Sequence, residues 1–310
     1  MKNRIKKYYM VIILVFFVGC IFSFKTIFSK NYDKIDGIVE NCNRYLKLDD
    51  IDRKEYDEEN PGSYTIQECE YIIDKNNKPI SFFLLYQNVF NNGIVGFIFP
   101  LLVPVILMYP IIYGLLAEYE NGFIKYYLQR KKYSKYVIHL FRDSYKYIFI
   151  IAIMLLMLFL GSVFLSSFRF NPTMDIYLLY ISDGALLFYN NFGNCIIYII
   201  VILLNLLTYI NLILLTLRFC KRNFLITFVE SFLVIYLYWC FTFIIVGNLL
   251  NKYFGIWPEH VNLLEIYTWN QIVNPRLFLV FNIICYLCTL VLVLLSYKNK
   301  EKFILRCEER

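Results

Sequence analysis

The stretch Tyr147–Phe168, YIFIIAIMLLMLFLGSVFLSSF, runs 22 residues without an Asp, Glu, Lys or Arg. A helix needs about 20 mostly apolar residues to cross the hydrocarbon core of a bilayer. Five further charge-free stretches lie on either side of it: 8–24, 79–117, 184–217, 231–251 and 277–297. Together they predict an all-α, polytopic membrane protein with six transmembrane helices, over approximately 8–28, 94–117, 147–168, 193–217, 224–250 and 277–297 of a single domain 1–310. Hydrophobic residues make up 59% of the chain and the mean hydropathy is +0.53. A soluble domain is about 45–50% apolar, and the longest polar stretch, 29–78, leaves room only for a small helical cap.

Charge predicts the orientation. Segments 1–7, 118–146, 218–223 and 298–310 hold 19 basic and 6 acidic residues, whereas 29–78, 169–183 and 251–276 hold 11 basic and 17 acidic. The two groups alternate along the chain, as six crossings require. Lys and Arg favour the cytoplasmic side of short loops, so both termini are expected in the cytoplasm, with 29–78 and 252–276 outside. The basic loops sit between spans and predict no nucleic-acid partner. The basic start Lys2-Asn3-Arg4-Ile5-Lys6-Lys7 and the apolar run behind it have the outline of a signal peptide, but Cys20-Ile21-Phe22-Ser23-Phe24-Lys25 offers no small-x-small cleavage site. An uncleaved first helix is expected.

Within 29–78, Ile35, Ile38, Val39, Cys42 and Leu46 recur at helical spacing. Asn60-Pro61-Gly62-Ser63 reads as a turn. Thr65-Ile66-Gln67-Glu68 has capping-box form, with Ile66, Cys69, Ile72 and Ile73 on one face. Two short helices with facing apolar stripes are expected, a small helical exterior segment between the first two spans. Cys42 and Cys69 fall one on each stripe. A disulfide fits an oxidising exterior, and a pair of buried thiols fits as well. The acidic run Asp49, Asp50, Asp52 lacks the Gly and the distal Glu of a calcium loop and reads as solvated surface.

The 39-residue run 79–117 exceeds one crossing. An interfacial segment to about Asn92, a break at Asn91-Asn92-Gly93 and a crossing from Ile94 to Ala117 are expected. Pro100, Pro104 and Pro110 lie in that crossing. Each removes a backbone donor, and the freed carbonyls need protein or a water-filled cavity. Pro100 and Pro104, with Asn205 and Asn211 of the fourth span, are therefore candidates to line a pathway. An ordinary kinked helix and interhelical hydrogen bonding are the alternatives. Between spans five and six, Leu263, Leu264, Ile266, Tyr267, Trp269 and Ile272 predict a short helix. It lies at the outer interface, with Tyr267 and Trp269 at headgroup level, or re-enters shallowly.

No catalytic residues are predicted. The two histidines, His139 and His260, are expected on opposite sides of the membrane. No H-E-x-x-H, G-x-S-x-G or G-x-x-x-x-G-K-[ST] pattern occurs, so neither a metal site nor ATP hydrolysis by this chain is expected. Cys285 and Cys288 form one C-x-x-C inside an apolar helix, without a second pair. Intramembrane charges, which mark ion routes, are missing but for Glu230, which is expected to reach the inner interface near Arg218, Lys221 and Arg222.

The loop after the second span is more specific. Glu118 and Glu120 close the span and Gly122 permits a sharp bend. Phe123, Tyr127 and Leu128 give a short helix an apolar face, and Arg130-Lys131-Lys132 follows. Such a helix can lie on a membrane or dock in a partner's groove.

Here the sequence resembles permeases of ABC exporters of the ABC-2 type. That family carries an acidic residue, a Gly, a Tyr-Leu pair, a basic residue and a polar turn between helices two and three. The matching positions are Glu118 or Glu120, Gly122, Tyr127-Leu128, Arg130 and Ser134, within 117–136. Six spans with both termini inside and an exterior segment after the first helix are likewise similar. The resemblance implies a coupling helix contacting the ATPase subunit through Glu118, Glu120, Gly122, Phe123, Tyr127, Leu128 and Arg130. It also implies separate ABC ATPase subunits that bind ATP and magnesium, a second permease chain as homo- or heterodimer partner, and a place in the cell membrane. This chain itself would hold no cofactor. The implied activity is export of an amphipathic or hydrophobic cargo such as a peptide, drug or lipid-like molecule. The competing reading is a non-transporting immunity or sensor protein that binds its target through 29–78.

Overall fold

The computed structural model describes residues 2–59, 65–75, 82, 85–86, 89, 94–168, 192–219, 223–256, 263–267 and 275–298. They form α1 (Lys2–Leu46), α2 (Asp50–Glu59), α3 (Ile66–Lys75), α4 (Ile94–Glu120), α5 (Phe123–Arg130), α6 (Tyr133–Tyr145), α7 (Ile148–Leu165), α8 (Phe192–Phe219), α9 (Phe224–Cys240), α10 (Gly247–Phe254) and α11 (Pro275–Tyr297). A π-helical turn, Phe241–Val246, joins α9 to α10, and a 3-10 turn covers Leu263–Ile266. Among the described residues there is no strand. Six stretches are long and apolar enough to cross a membrane: Lys7–Thr26, Phe99–Glu120, Tyr133–Leu165, Ile196–Phe219, Phe224–Phe254 and Pro275–Tyr297. The chain is thus an all-helical protein built for a membrane.

The core forms around α4 and α8. Within their apolar stretches 67% and 61% of residues are buried, against 17% in α1. α8 packs most extensively on α11 and also meets α4, α6, α7 and α9. Pro100, Pro104 and Pro110 are buried in α4, so the helix with the most broken backbone ladder is the one most enclosed by protein. Exposed Met10, Leu14, Phe17 and Ile21 on α1 need no protein partner, because acyl chains cover such faces in a bilayer.

The structure departs from the sequence reading in α1, which continues unbroken to Leu46 instead of ending near 28. No proline interrupts 25–46, and a helix-interior Gly such as Gly37 costs only about 1 kcal/mol. At 1.5 Å per residue the helix is about 68 Å long, roughly twice the hydrocarbon thickness of about 30 Å, so its second half stands clear of that layer. α3 folds back on this half. The two are joined by a disulfide between Cys42 and Cys69, with the Cα atoms 5.0 Å apart, which decides between bond and thiols. The capping box forms as read: the Thr65 amide donates to Glu68 Oε2 (2.8 Å) and the Glu68 amide to Thr65 Oγ1 (3.3 Å). Arg53 donates to the Tyr45 and Leu46 carbonyls (3.3 and 3.0 Å), closing the end of α1.

Ahead of α4, Phe82, Leu85, Tyr86 and Val89 are buried at i, i+3, i+4, i+7 spacing, facing the core. Tyr267 is also buried. Its ring meets Phe99 edge-on at 5.0 Å, and its carbonyl accepts from the Tyr198 hydroxyl at 3.4 Å. Tyr267 therefore faces protein, its ring covering Phe99 near the start of α4. The turn at 60–63, the break at 91–93, Lys221, Arg222, His260 and Trp269 lie outside the described residues.

Candidate functional site

α4 ends on two turn bonds, the Asn121 amide to the Ala117 carbonyl at 3.1 Å and the Gly122 amide to the Tyr119 carbonyl at 3.2 Å. Gly122 then adopts φ 65°, ψ 10°, the left-handed region that costs an L side chain free energy. The chain reverses and starts α5. On α5 the apolar face predicted from sequence divides. Ile124 is buried, Tyr127 and Leu128 pack partly against the core, and Phe123 and Tyr126 remain exposed.

α5 lies against α6 through aromatic contacts. The Tyr127 ring meets Tyr136 edge-on at 5.8 Å and the His139 imidazole at 5.6 Å, and Phe123 approaches His139 at 6.1 Å. The Tyr127 hydroxyl donates to the Lys135 carbonyl at 3.4 Å. Between the two helices runs a groove of about 540 Å³ lined by Phe123, Tyr126, Ile138 and His139 and by the cations Arg130, Lys131, Lys135 and Arg142. Among the described residues no acidic one lines it. Exposed Tyr126 (64%) and Ile138 (66%) sit beside four positive charges. That combination suits an acidic, partly apolar protein surface.

Of the predicted site residues, Gly122, Phe123, Tyr127, Leu128 and Arg130 come together on α5. Glu120 is exposed beside the turn, while Glu118 is half-buried and converges on His139 and Asp143 of α6. Pro100, Pro104, Asn205 and Asn211 lie apart from the groove, buried among the helices. Asn211 is satisfied, accepting from the Tyr145 hydroxyl at 2.9 Å and donating to Thr289 Oγ1 at 3.4 Å. Asn205 is 1% exposed, and its side-chain amide faces the Tyr209 hydroxyl in a contact too loose for a well-formed hydrogen bond. One turn further along α8, the Tyr209 hydroxyl accepts from Trp239 Nε1 at 2.8 Å. Among the described residues Glu230 Oε2 is buried without a hydrogen bond, whereas Arg218 donates to the Ser296 carbonyl at 3.0 Å and stacks over the Tyr297 ring.

Sequence reasoning missed the pairing of His139 and Asp143 with Glu118, and the bond from Tyr133 to Tyr297. The i, i+4 spacing of His139 and Asp143 was available. Their meeting with Glu118 depends on the Gly122 reversal, which brings the end of α4 against α6.

The fold and this loop define a class: a polytopic helical membrane protein with a short amphipathic helix, α5, that follows its second apolar stretch and folds on α6, the start of the third. Comparison carries the description no further, since no family model, no curated protein and no solved structure matches the chain.

Proposed function

We propose that the chain is the permease subunit of an ATP-driven exporter of ABC-2 type, moving an amphipathic or hydrophobic cargo across the cell membrane. In this reading separate ATPase subunits bind ATP and magnesium and α5 is the lever they push. The chain itself performs no catalysis and pairs with a second permease chain. One observation carries the reading: α5 is a discrete helix, set off by the left-handed Gly122 and seated on α6, beside an open groove of aromatic rings and positive charge. Motion delivered there passes to α4 through the 120–122 turn and to α7 through α6. The orientation rests on the basic loops and on the disulfide of the 29–78 segment, a bond that persists on the oxidising side.

Co-purification with an ABC-type ATPase tests this. Phe123→Asp and Tyr126→Asp change exposed side chains and are expected to abolish the association without unfolding the chain. Epitope tags at 125 and 50 are expected to be reachable from opposite faces of the membrane. Tags reachable from one face, or an ATPase retained by both variants, would overturn the reading. The disulfide-braced α1–α3 unit favours the second reading, a non-transporting immunity or sensor protein that binds through 29–78. Failure to recover any ATPase partner points to that one.

A further inference from the structure

Three metal-binding side chains meet where α4 ends against α6. Glu118 comes from α4; His139 and Asp143 stand one turn apart on α6. One ligand atom from each lies within 4.8 Å of the other two. His139 Nε2 is 3.6 Å from Asp143 Oδ2. That is too long for a good hydrogen bond, which spans about 2.7–3.2 Å. It is close to the separation of two ligands on one tetrahedral ion, about 3.4 Å when each bond is about 2.1 Å. Glu118 Oε2 and His139 Nδ1 are shielded from solvent and have no hydrogen-bond partner. A buried polar atom without a partner is costly, so Glu118 Oε2 calls for a cation, while an ion held through His139 Nε2 beside Asp143 leaves Nδ1 as the N–H of the ring, outside the site. Asp143 is not starved of charge: Lys146 Nζ stands 3.5 Å from Oδ2 and Arg142 Nε 3.8 Å from Oδ1. Both bases are more than half exposed and can turn to water when a cation arrives.

We propose that Glu118, His139 and Asp143 form a binding site for one divalent first-row transition-metal ion of the zinc type. The donor set decides the class. One imidazole with two carboxylates suits zinc and its neighbours, whereas calcium takes about six to eight oxygens. Three protein ligands leave a fourth position for water, the pattern of an exchangeable site. The groove between α5 and α6, of which His139 forms part, gives the ion a way in. A bound ion ties residue 118 to residues 139 and 143, on either side of α5, and so braces the Gly122 reversal. The site does not depend on the transport reading and stands if that reading fails.

The test uses the full chain in detergent, without a polyhistidine tag and stripped by chelator. Titration with Zn2+ by calorimetry is expected to give one saturable site, weakened by about tenfold or more in each of Glu118→Gln, His139→Gln and Asp143→Asn. The triple change at Asp49, Asp50 and Asp52 to Asn is expected to leave it intact. A second readout needs no variant. The chain has two histidines, so carbethoxylation can be mapped to each by mass spectrometry. Zn2+ is expected to protect His139 and leave His260 reactive. Absence of saturable binding, binding that survives all three ligand changes, or equal reactivity of His139 with and without Zn2+ would each overturn the proposal.

Discussion

The Tyr133 hydroxyl donates to the Tyr297 carbonyl at 2.8 Å, joining residues 164 positions apart. Tyr133 opens α6, beside α5; Tyr297 closes α11. The Tyr297 hydroxyl in turn donates to the Leu214 carbonyl of α8 at 3.1 Å. Two bonds therefore connect the α5–α6 unit through α11 to α8, one of the two helices around which the core forms. Tyr133→Phe removes one donor and leaves the ring. It is expected to cost about 0.5–1.5 kcal/mol of stability, read by thermal or denaturant unfolding in detergent. Under the transport reading it also lowers cargo stimulation of the partner ATPase more than basal activity. An unchanged melting curve would show that the bond carries nothing.

Asn205 and Asn211 look alike in the sequence and differ in the fold. Asn211 ties Tyr145 of α6 to Thr289 of α11, so Asn211→Leu breaks both links, although Thr289 keeps its bonds to the Cys285 and Tyr286 carbonyls, and is expected to destabilise by about 1–3 kcal/mol. Asn205 has less to lose, since its buried amide makes only a loose contact with the Tyr209 hydroxyl. Asn205→Leu is expected to cost less than Asn211→Leu. If it instead abolishes transport with the fold intact, the amide belongs to the pathway; if it destabilises as much as Asn211→Leu, a bound water has been lost. Unfolding and transport measured on the same two variants separate these outcomes.

What could be read from the chain beforehand follows from the range of each interaction. The spans were legible because absence of charge over 20 residues is a local property of the string. So were the Gly122 bend and the Thr65–Glu68 cap, which need only neighbours within four positions. Helix α1 was divided at 28 because polarity changes there, although the backbone has no reason to stop. The contact of Tyr267 with Phe99 could not be read, because the two lie far apart in sequence. Cys42 and Cys69 could be placed on facing stripes but not bonded, because thiol and disulfide leave the same pattern. Glu118, His139 and Asp143 converge only once the loop has closed.

Reduction should release α3. Bridging residues 27 positions apart removes denatured-chain entropy worth about 3–4 kcal/mol in the loop-closure picture. Cys42→Ser with Cys69→Ser is expected to destabilise the α1–α3 unit by up to that amount while leaving the apolar helices in place. Limited proteolysis across 47–65 should speed up in the double variant, and a non-reducing gel should lose a mobility shift. Equal proteolysis rates would show that packing alone holds α3.

Phe24 of α1 lies close over Gly161 of α7. A Cβ built on Gly161 would stand 2.8 Å from Phe24 Cε2 and 3.1 Å from Cζ. Phe24 is buried, so its ring is held by neighbours. Gly161→Leu is therefore expected to cost about 1–3 kcal/mol through overpacking, partly offset by relief of the helix penalty of glycine. Phe24→Ala alone is expected to lose apolar contact of similar size. The two changes touch the same space, so the double variant should be more stable than the sum of the singles predicts. There is one escape. Phe24 and Gly161 also border an apolar groove of about 530 Å³, into which the ring could swing. In that case Gly161→Leu costs little and the two effects simply add, which a double-mutant cycle on unfolding free energies would reveal at once.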